Sequence, residues 1–165
     1  MIYITVAQDG MVAGLSNQPT TMDGYTSVAH DTPLDPNKNW RYQNGEFVEV
    51  QPSLQSAKDA KWGVIKAARD AAQYAGFMWD GSRFDSDAAS QQKIIGACQW
   101  ASLNSALQID WTLADNTVRT LSAQEMQQVA QALGVYVDGV YDKGRTLRQQ
   151  IESATTISDL DAIKW

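Results

Sequence analysis

The sequence has one cysteine and one histidine among its 165 residues, which restricts the chemistry that its side chains can perform. Because Cys98 is alone, no intrachain disulfide can form, and we expect a reducing compartment. Its place on the apolar side of a predicted helix indicates a buried, unreactive side chain. A Ser–His–Asp triad would need His30 as its base. Since His30 lies in a proline-rich segment without periodicity, we predict an exposed loop histidine.

Positive charge is also scarce. The chain has 13 Lys and Arg against 19 Asp and Glu, which gives a net charge of −6. Nucleic acids and anionic membrane surfaces are bound by basic faces, so this balance argues against both partners. No apolar run approaches the roughly 20 residues that cross a bilayer. The first residues lack the basic segment of a signal peptide, so we expect synthesis in the cytoplasm.

The spacings of common cofactor and metal motifs are missing as well. The sequence contains no glycine-rich phosphate loop, dinucleotide fingerprint or zinc-type spacing. The acidic stretch from Asp80 to Asp87 resembles a calcium loop, but an EF-hand would need oxygen ligands where Phe84 and Gln91 stand. We therefore predict no metal and no cofactor, and we assign these aspartates to a hairpin turn and a helix cap.

Two carboxylate pairs could in principle perform acid–base chemistry on a glycosidic bond. They are Asp85 with Asp87 and Asp110 with Asp115. With 19 acidic residues such pairs arise by chance, so we assign no catalytic residue and expect a protein that is not an enzyme.

The residues that are present indicate two regions that differ in the periodicity of their apolar residues. Residues 1–52 read as a small β module for partner docking, with type I′ hairpin turns at Asp9-Gly10 and Asn44-Gly45. Residues 56–165 read as a mainly helical domain after a proline-containing linker. The predicted fold class is therefore α+β, with two short β-hairpins inside the helical domain.

In the helical region the pattern predicts three long helices. They cover about 54–75, about 88–107, and a stretch opened by a capping box at Ser122 and Glu125. Asp80-Gly81 and Asp115-Asn116 mark the hairpin turns between them. A final short turn has Ser158 as its predicted cap.

Six tryptophans are the main oddity of composition. Aromatic platforms can bind sugars, so an adhesive role is one alternative. We favour packing in the core and at interfaces, where a large ring with one N–H donor suits half-buried sites. Trp62 and Trp100 fall on apolar helical faces, which supports this interpretation.

The third long helix has an apolar stripe that suggests a partner interface. The stripe extends beyond what a short bundle should cover, and three glycines permit close helix approach. We therefore hypothesise self-association or partner docking through this helix, with a second possible contact on the β module. The residues concerned are Leu133, Tyr136, Val140, Leu147 and Ile151 on the helix, and Trp40 and Phe47 on the β module.

Several motifs in order carry a resemblance. They are the F-x-x-D-G-x-x-F-D-S-D hairpin with its S-Q-x-K-I helix, the W-x-x-x-D-N hairpin, and the closing L-x-x-x-I and D-L-D-x-I segments. Over about residues 58–165 this arrangement resembles a domain of unknown function common in bacteriophage tail-fibre and tail-fibre-assembly proteins.

The resemblance implies a tail protein of a bacteriophage or prophage that attaches, connects or caps the receptor-binding fibre. The partners it implies are tail-fibre or baseplate proteins, in a homo- or hetero-oligomer, in the virion tail after synthesis in the host cytoplasm. The alternatives are a tail-fibre assembly chaperone and a glycan-binding or glycan-active fibre component. The family offers no catalytic residues to assign to this sequence.

Overall fold

The polypeptide folds into two units, Met1–Ser53 and Leu54–Trp165, and the computed structural model describes every residue of both. The first unit is built from antiparallel strands and the second from helices and short hairpins. This is the α+β class that the sequence predicts.

Two small antiparallel sheets make up the first unit. The three-stranded sheet has the order β2-β1-β3, with β1 at Ile2–Ala7, β2 at Val12–Ser16 and β3 at Tyr25–His30. The two-stranded sheet pairs β4, Trp40–Gln43, with β5, Glu46–Glu49. Ile4, Val6 and Leu34 form the buried core of this unit. Strand β3 was not predicted, because its residues show no clear alternation of apolar and polar side chains.

One of the two predicted type I′ turns in this unit is confirmed and the other is wrong. Asn44 and Gly45 both have positive φ, 54° and 91°, as a type I′ turn requires. At the first hairpin only Gly10 has positive φ, 84°. The Gly10 amide donates to the Ala7 carbonyl, and the Ala7 amide donates to Met11, both at 2.9 Å. These bonds define a type I turn followed by a glycine bulge, which the Asp9 carboxylate supports by accepting from the Met11 amide.

His30 ends strand β3, so its prediction as an exposed loop residue is wrong. Its side chain is half-buried, and its ring packs edge-on against Phe47 at 5.1 Å. The ring Nδ1–H donates to the Thr32 carbonyl at 2.6 Å. The hydroxyl of Ser27, a serine close to His30 in the sequence, bonds to the backbone of Thr20, so it does not join His30 in a triad.

The second unit alternates helices with two short hairpins. The hairpins are two-stranded, and each stands alone as a sheet. In chain order the elements are α1 (Leu54–Ala72), β6 (Phe77–Trp79), β7 (Ser82–Phe84), α2 (Ala88–Leu103), β8 (Gln108–Thr112), β9 (Val118–Ser122), α3 (Ala123–Ser153) and α4 (Ile157–Ala162).

Most of the predicted turns and caps in this unit are confirmed. Asp80 and Gly81 have φ of 45° and 73°, which makes the turn between β6 and β7 type I′. The capping box of Ser122 and Glu125 opens α3. Two predictions need correction. Helix α2 ends at Leu103 because Asn104 leaves the helical region, and Thr156, not Ser158, caps α4 in a capping box with Asp159.

Helix α3 is 31 residues long and contributes to two separate cores. Its first half packs with α2 and the two hairpins, and its second half packs with α1 and α4. The first core contains Phe77, Phe84, Ile94, Ala101, Leu107, Leu113, Leu121, Ala123, Met126, Val129 and Leu133. The second contains Ile65, Leu147, Ile151, Ala154, Leu160 and Ile163.

A series of cation–π contacts joins α1 to α3. The Arg69 guanidinium lies 5.9 Å from the ring centre of Trp62 and 4.8 Å from that of Tyr141. Arg148 lies 4.9 Å from the same Trp62 ring. The Arg69 stem runs against Gly144, where a Cβ atom would stand 3.1 Å from Arg69 Cδ. This glycine therefore leaves room for the arginine between the helices, which the sequence did not reveal.

Candidate functional site

The apolar stripe of α3 is covered by the chain itself. Leu133, Val140, Leu147 and Ile151 are all buried, and the last two lie in the core shared with α1 and α4. Tyr136 is half-buried, and its hydroxyl donates to the Ala72 carbonyl at the end of α1. The argument that this stripe remains uncovered is therefore wrong, and these residues do not offer an exposed interface.

The two candidates on the β module are also engaged within their unit. Trp40 and Phe47 are half-buried and pack against its small core. The Trp40 Nε1–H donates to the Asp35 carbonyl at 3.0 Å, and the Phe47 ring lies 4.8 Å from that of Tyr42. Both side chains thus stabilise the two sheets of the first unit.

One group of exposed apolar residues lies instead on α2. Ile95, Trp100 and Leu103 are 45%, 56% and 88% exposed, although all three are large hydrophobic residues. Gly96 lies among them, with nothing within 4 Å of where a Cβ atom would stand. We call these four residues the α2 outer face. The expectation that Trp100 lies on a buried helical face is wrong, whereas Trp62 packs against the core as predicted.

The composition of α2 explains why its two sides could not be told apart from the sequence. Ile94 and Ala101 are buried on the inner side, while the outer side exposes Ile95, Trp100 and Leu103 among the polar Gln92, Lys93 and Gln99. Lys93 is the one charged residue in the 16 of this helix. Because large apolar residues lie on both sides of this helix, their spacing does not mark one buried face. Here one side is open, and the lone Cys98 is half-buried at its margin.

A polar cleft of about 430 Å³ lies between the start of α2 and the β8–β9 hairpin. It brings together one member of each carboxylate pair considered above, Asp85 and Asp110. Trp111 provides a half-buried ring, and the Asp110 carboxylate accepts from the Thr120 hydroxyl at 2.7 Å. The cleft also contains Ser90, Lys93 and Asn116. Such a mixture of donors, acceptors and one ring suits a polar ligand.

The other members of those pairs hold the backbone in place. Asp87 caps α2 by accepting from the amides of Ala89 and Ser90, at 2.9 and 3.1 Å. A hydrogen bond from the Ser90 hydroxyl, together with those from the two amides, lowers the pKa of the Asp87 carboxyl group. Asp115 accepts from the hydroxyl and amide of Thr117, which lowers the pKa of its carboxyl group. Asp87 thus caps a helix and Asp115 supports a hairpin turn, as the sequence predicts for each.

Asp80 belongs to a network that joins the two hairpins. Its carboxylate pairs with the Arg119 guanidinium at 2.6 Å, and Arg119 also lies 4.8 Å from the ring centre of Trp79. Glu125 pairs with the same guanidinium at 3.5 Å. The hydrogen bonds that Arg119 donates to these carboxylates, first of all the one to Asp80, raise the pKa of Arg119. No three His, Cys, Asp or Glu side chains converge in a way that could hold a metal ion.

The chain belongs to the family described as a domain of unknown function, DUF4376, which matches residues 56–164. The match lies within the helical unit and includes α2 and its outer face. No curated protein and no solved structure matches the chain. None of the helices is both long and apolar enough to cross a membrane.

Proposed function

We propose that the protein is a non-enzymatic component of a bacteriophage or prophage tail. It attaches, connects or caps the receptor-binding fibre, and its partners are tail-fibre or baseplate proteins. The resemblance of its motifs to tail-fibre-associated domains supports the setting. The α2 outer face supports a role in protein–protein contact.

The α2 outer face is the observation that carries this proposal. Large exposed apolar residues on one helix, with Lys93 as the single charge near them, are typical of protein interaction sites. Tryptophan is also enriched among the residues that contribute most to binding, and Trp100 is more than half exposed. Because Gly96 leaves the helix surface low between Ile95 and Trp100, a partner helix can approach its backbone closely.

Purified particles test the proposal. Particles of the phage that encodes the chain should contain it in stoichiometric amounts by quantitative mass spectrometry. Leu103→Glu should remove it from particles while leaving its circular dichroism unchanged, because a charge at this face loses water without gaining a counter-ion. Val64→Glu is the matched control, since Val64 is 64% exposed on α1 and lies outside the α2 outer face. It should be incorporated as wild type.

Three other outcomes have defined meanings. A chain that is absent from particles but co-purifies with free fibres is an assembly chaperone. A chain found with neither particles nor fibres contradicts the tail proposal. Equal incorporation of the Leu103→Glu variant and wild type would show that the α2 outer face is not the contact.

The polar cleft supports glycan binding as a second candidate function. Sugars are bound by rings that cover their apolar faces and by carboxylates and amides that pair with their hydroxyls. The cleft places Trp111 beside Asp85, Asp110 and Asn116. Host surface polysaccharide should then change the intrinsic fluorescence in a saturable way, and Asp85→Asn should weaken this response. A wild type that responds to no host polysaccharide contradicts this candidate.

A further inference from the structure

We propose that the free edge of β6, together with the adjoining surface of α3, docks an extended peptide segment of a partner protein. The segment would add a third strand to the β6–β7 hairpin and lie across α3. This site is separate from the α2 outer face and does not depend on the tail assignment.

The free edge follows from the register of the hairpin. Trp79 pairs with Ser82 across the two-residue turn, so these two residues exchange hydrogen bonds. The next pair, Met78 with Arg83, is then a non-hydrogen-bonded pair whose amides and carbonyls point away from each other. On the β7 side this outward position is occupied, because the Arg83 carbonyl accepts from the Ala114 amide at 3.1 Å. On the β6 side no group of the chain bonds to Met78.

A groove of about 460 Å³ lies beside this edge. Residues three to four positions apart on α3 line its helical side, so they form one continuous strip. Met78 and Val135 are 62% and 69% exposed. No charged side chain lines the groove. The lining residues are Phe77, Met78 and Trp79 of β6 with Gln128, Gln131, Ala132, Val135 and Tyr136 of α3.

These features together specify the occupant. An unpaired amide and carbonyl on a strand edge are satisfied by another strand, which is how extended peptides add to sheets. Side chains on one face of that strand would pack on Ala132 and Val135, as Phe77 already packs on Tyr136 with ring centres 6.1 Å apart. Because the lining is neutral, these inward side chains must be apolar and uncharged. Gln128 and Gln131 can bond to the amides of the added strand.

The probe for this site is the peptide acetyl-Thr-Val-Thr-Val-Thr-amide. When the central threonine pairs with Met78, both valines face α3, since side chains alternate along a strand. Added to the isotope-labelled full chain, the peptide should slow hydrogen exchange at the Met78 amide and shift the Ala132 and Val135 amide resonances in a saturable way. A second peptide, methylated at the three threonine amide nitrogens, should bind at least about tenfold more weakly, because it cannot donate to Met78.

A matched pair of variants locates the contact. Val135→Asp should weaken binding at least about tenfold, because it places an unpaired charge in the neutral groove. Val118→Asp alters a valine of similar exposure, 63%, on β9 outside the groove, and should bind as wild type. Equal binding of the methylated peptide, or equal effects of the two variants, would contradict strand addition at β6. Protection of the Met78 amide that rises with protein concentration, without peptide, would identify a second copy as the occupant and overturn the proposal. An absence of saturable shifts at millimolar peptide would also overturn it.

Discussion

At the residue scale, single side chains and single glycines have distinct structural tasks. Gly144 is buried beside the Arg69 stem, whereas Gly139, on the same helix, has open space around it. Asp87 and Asp80 are both acidic residues of one short stretch, yet one caps a helix and the other pairs with Arg119. The meaning of a residue type is therefore set by what surrounds it.

Replacing each of the two glycines by alanine should separate helix propensity from packing. Gly139→Ala should raise the free energy of unfolding by about 1 kcal/mol, the usual gain for alanine over glycine inside a helix. Gly144→Ala should gain less, because its Cβ would press on Arg69 Cδ at 3.1 Å. Urea unfolding followed by circular dichroism measures both values. An equal gain at the two positions would mean that the Arg69 side chain moves away from the new Cβ atom with no loss of stability.

The charge of Asp87 should make stability depend on pH in one direction. Hydrogen bonds from the Ser90 hydroxyl and from the Ser90 and Ala89 amides lower its pKa in the folded state. The charged form therefore stabilises the fold above the unfolded-state pKa of about 3.9, and this contribution is lost as pH falls through the lower folded-state pKa. Asparagine also caps helices, so Asp87→Asn removes the charge and keeps the cap. The variant should have a lower urea midpoint than wild type at pH 6, and the two midpoints should converge as the pH falls through the folded-state pKa.

At the element scale, turns and helix caps could be predicted from neighbouring residues, but which helix faces other elements cover could not. The Asn44-Gly45 and Asp80-Gly81 turns and the Ser122–Glu125 capping box depend on neighbouring residues, and the sequence located all three. The predicted turn type of the first hairpin was wrong, because its loop is set by the pairing of Ala7 with Met11. Thr156 and Ser158 are both good cap residues, and only the path of the chain selects Thr156.

The candidate surfaces show the same limit. The apolar stripe of α3 was visible from its spacing, but only the packing of α1 and α4 shows that it is covered. On α2 both sides contain large apolar residues, so periodicity could not tell the inner Ile94 from the outer Leu103. The free edge at Met78 depends on which neighbour occupies each side of the hairpin, and no sequence pattern records that.

A pair of valine substitutions on α3 should report its covered and open sides. Val140→Glu should lower the free energy of unfolding by about 3 kcal/mol or more, because it buries a charge without a partner. Val135→Glu, five positions away on the exposed side, should change it by less than about 0.5 kcal/mol. Thermal and urea unfolding by circular dichroism compare them. A Val140→Glu variant as stable as wild type would mean that the chain does not cover this part of the α3 stripe, which would again be a possible interface.

At the scale of the whole molecule, the two units have separate cores. Both clusters around α3 are built only from residues of 54–165, and the cluster around Ile4 only from residues of 1–53. The DUF4376 match also lies in the larger unit. Each unit thus contains the side chains that stabilise it.

A fragment of residues 54–165 should therefore fold without the first unit. It should retain its helical circular dichroism spectrum and melt in one cooperative transition, because neither of its cores loses a buried member. Differential scanning calorimetry of the fragment and of the full chain makes the comparison. A fragment that melts without a cooperative transition would show that its stability depends on residues 1–53.

The neutrality of the α2 outer face determines how a complex formed through it responds to its surroundings. Dissolved ions weaken attraction between charges, and they have little to screen here, because the four residues of this face carry no charge and Lys93 is the single charge on the helix. Burial of its apolar surface would lower the heat capacity on binding, and such attraction fades on cooling. A complex held by Ile95, Trp100 and Leu103 should therefore survive a rise in salt concentration in a warm solution and loosen in the cold.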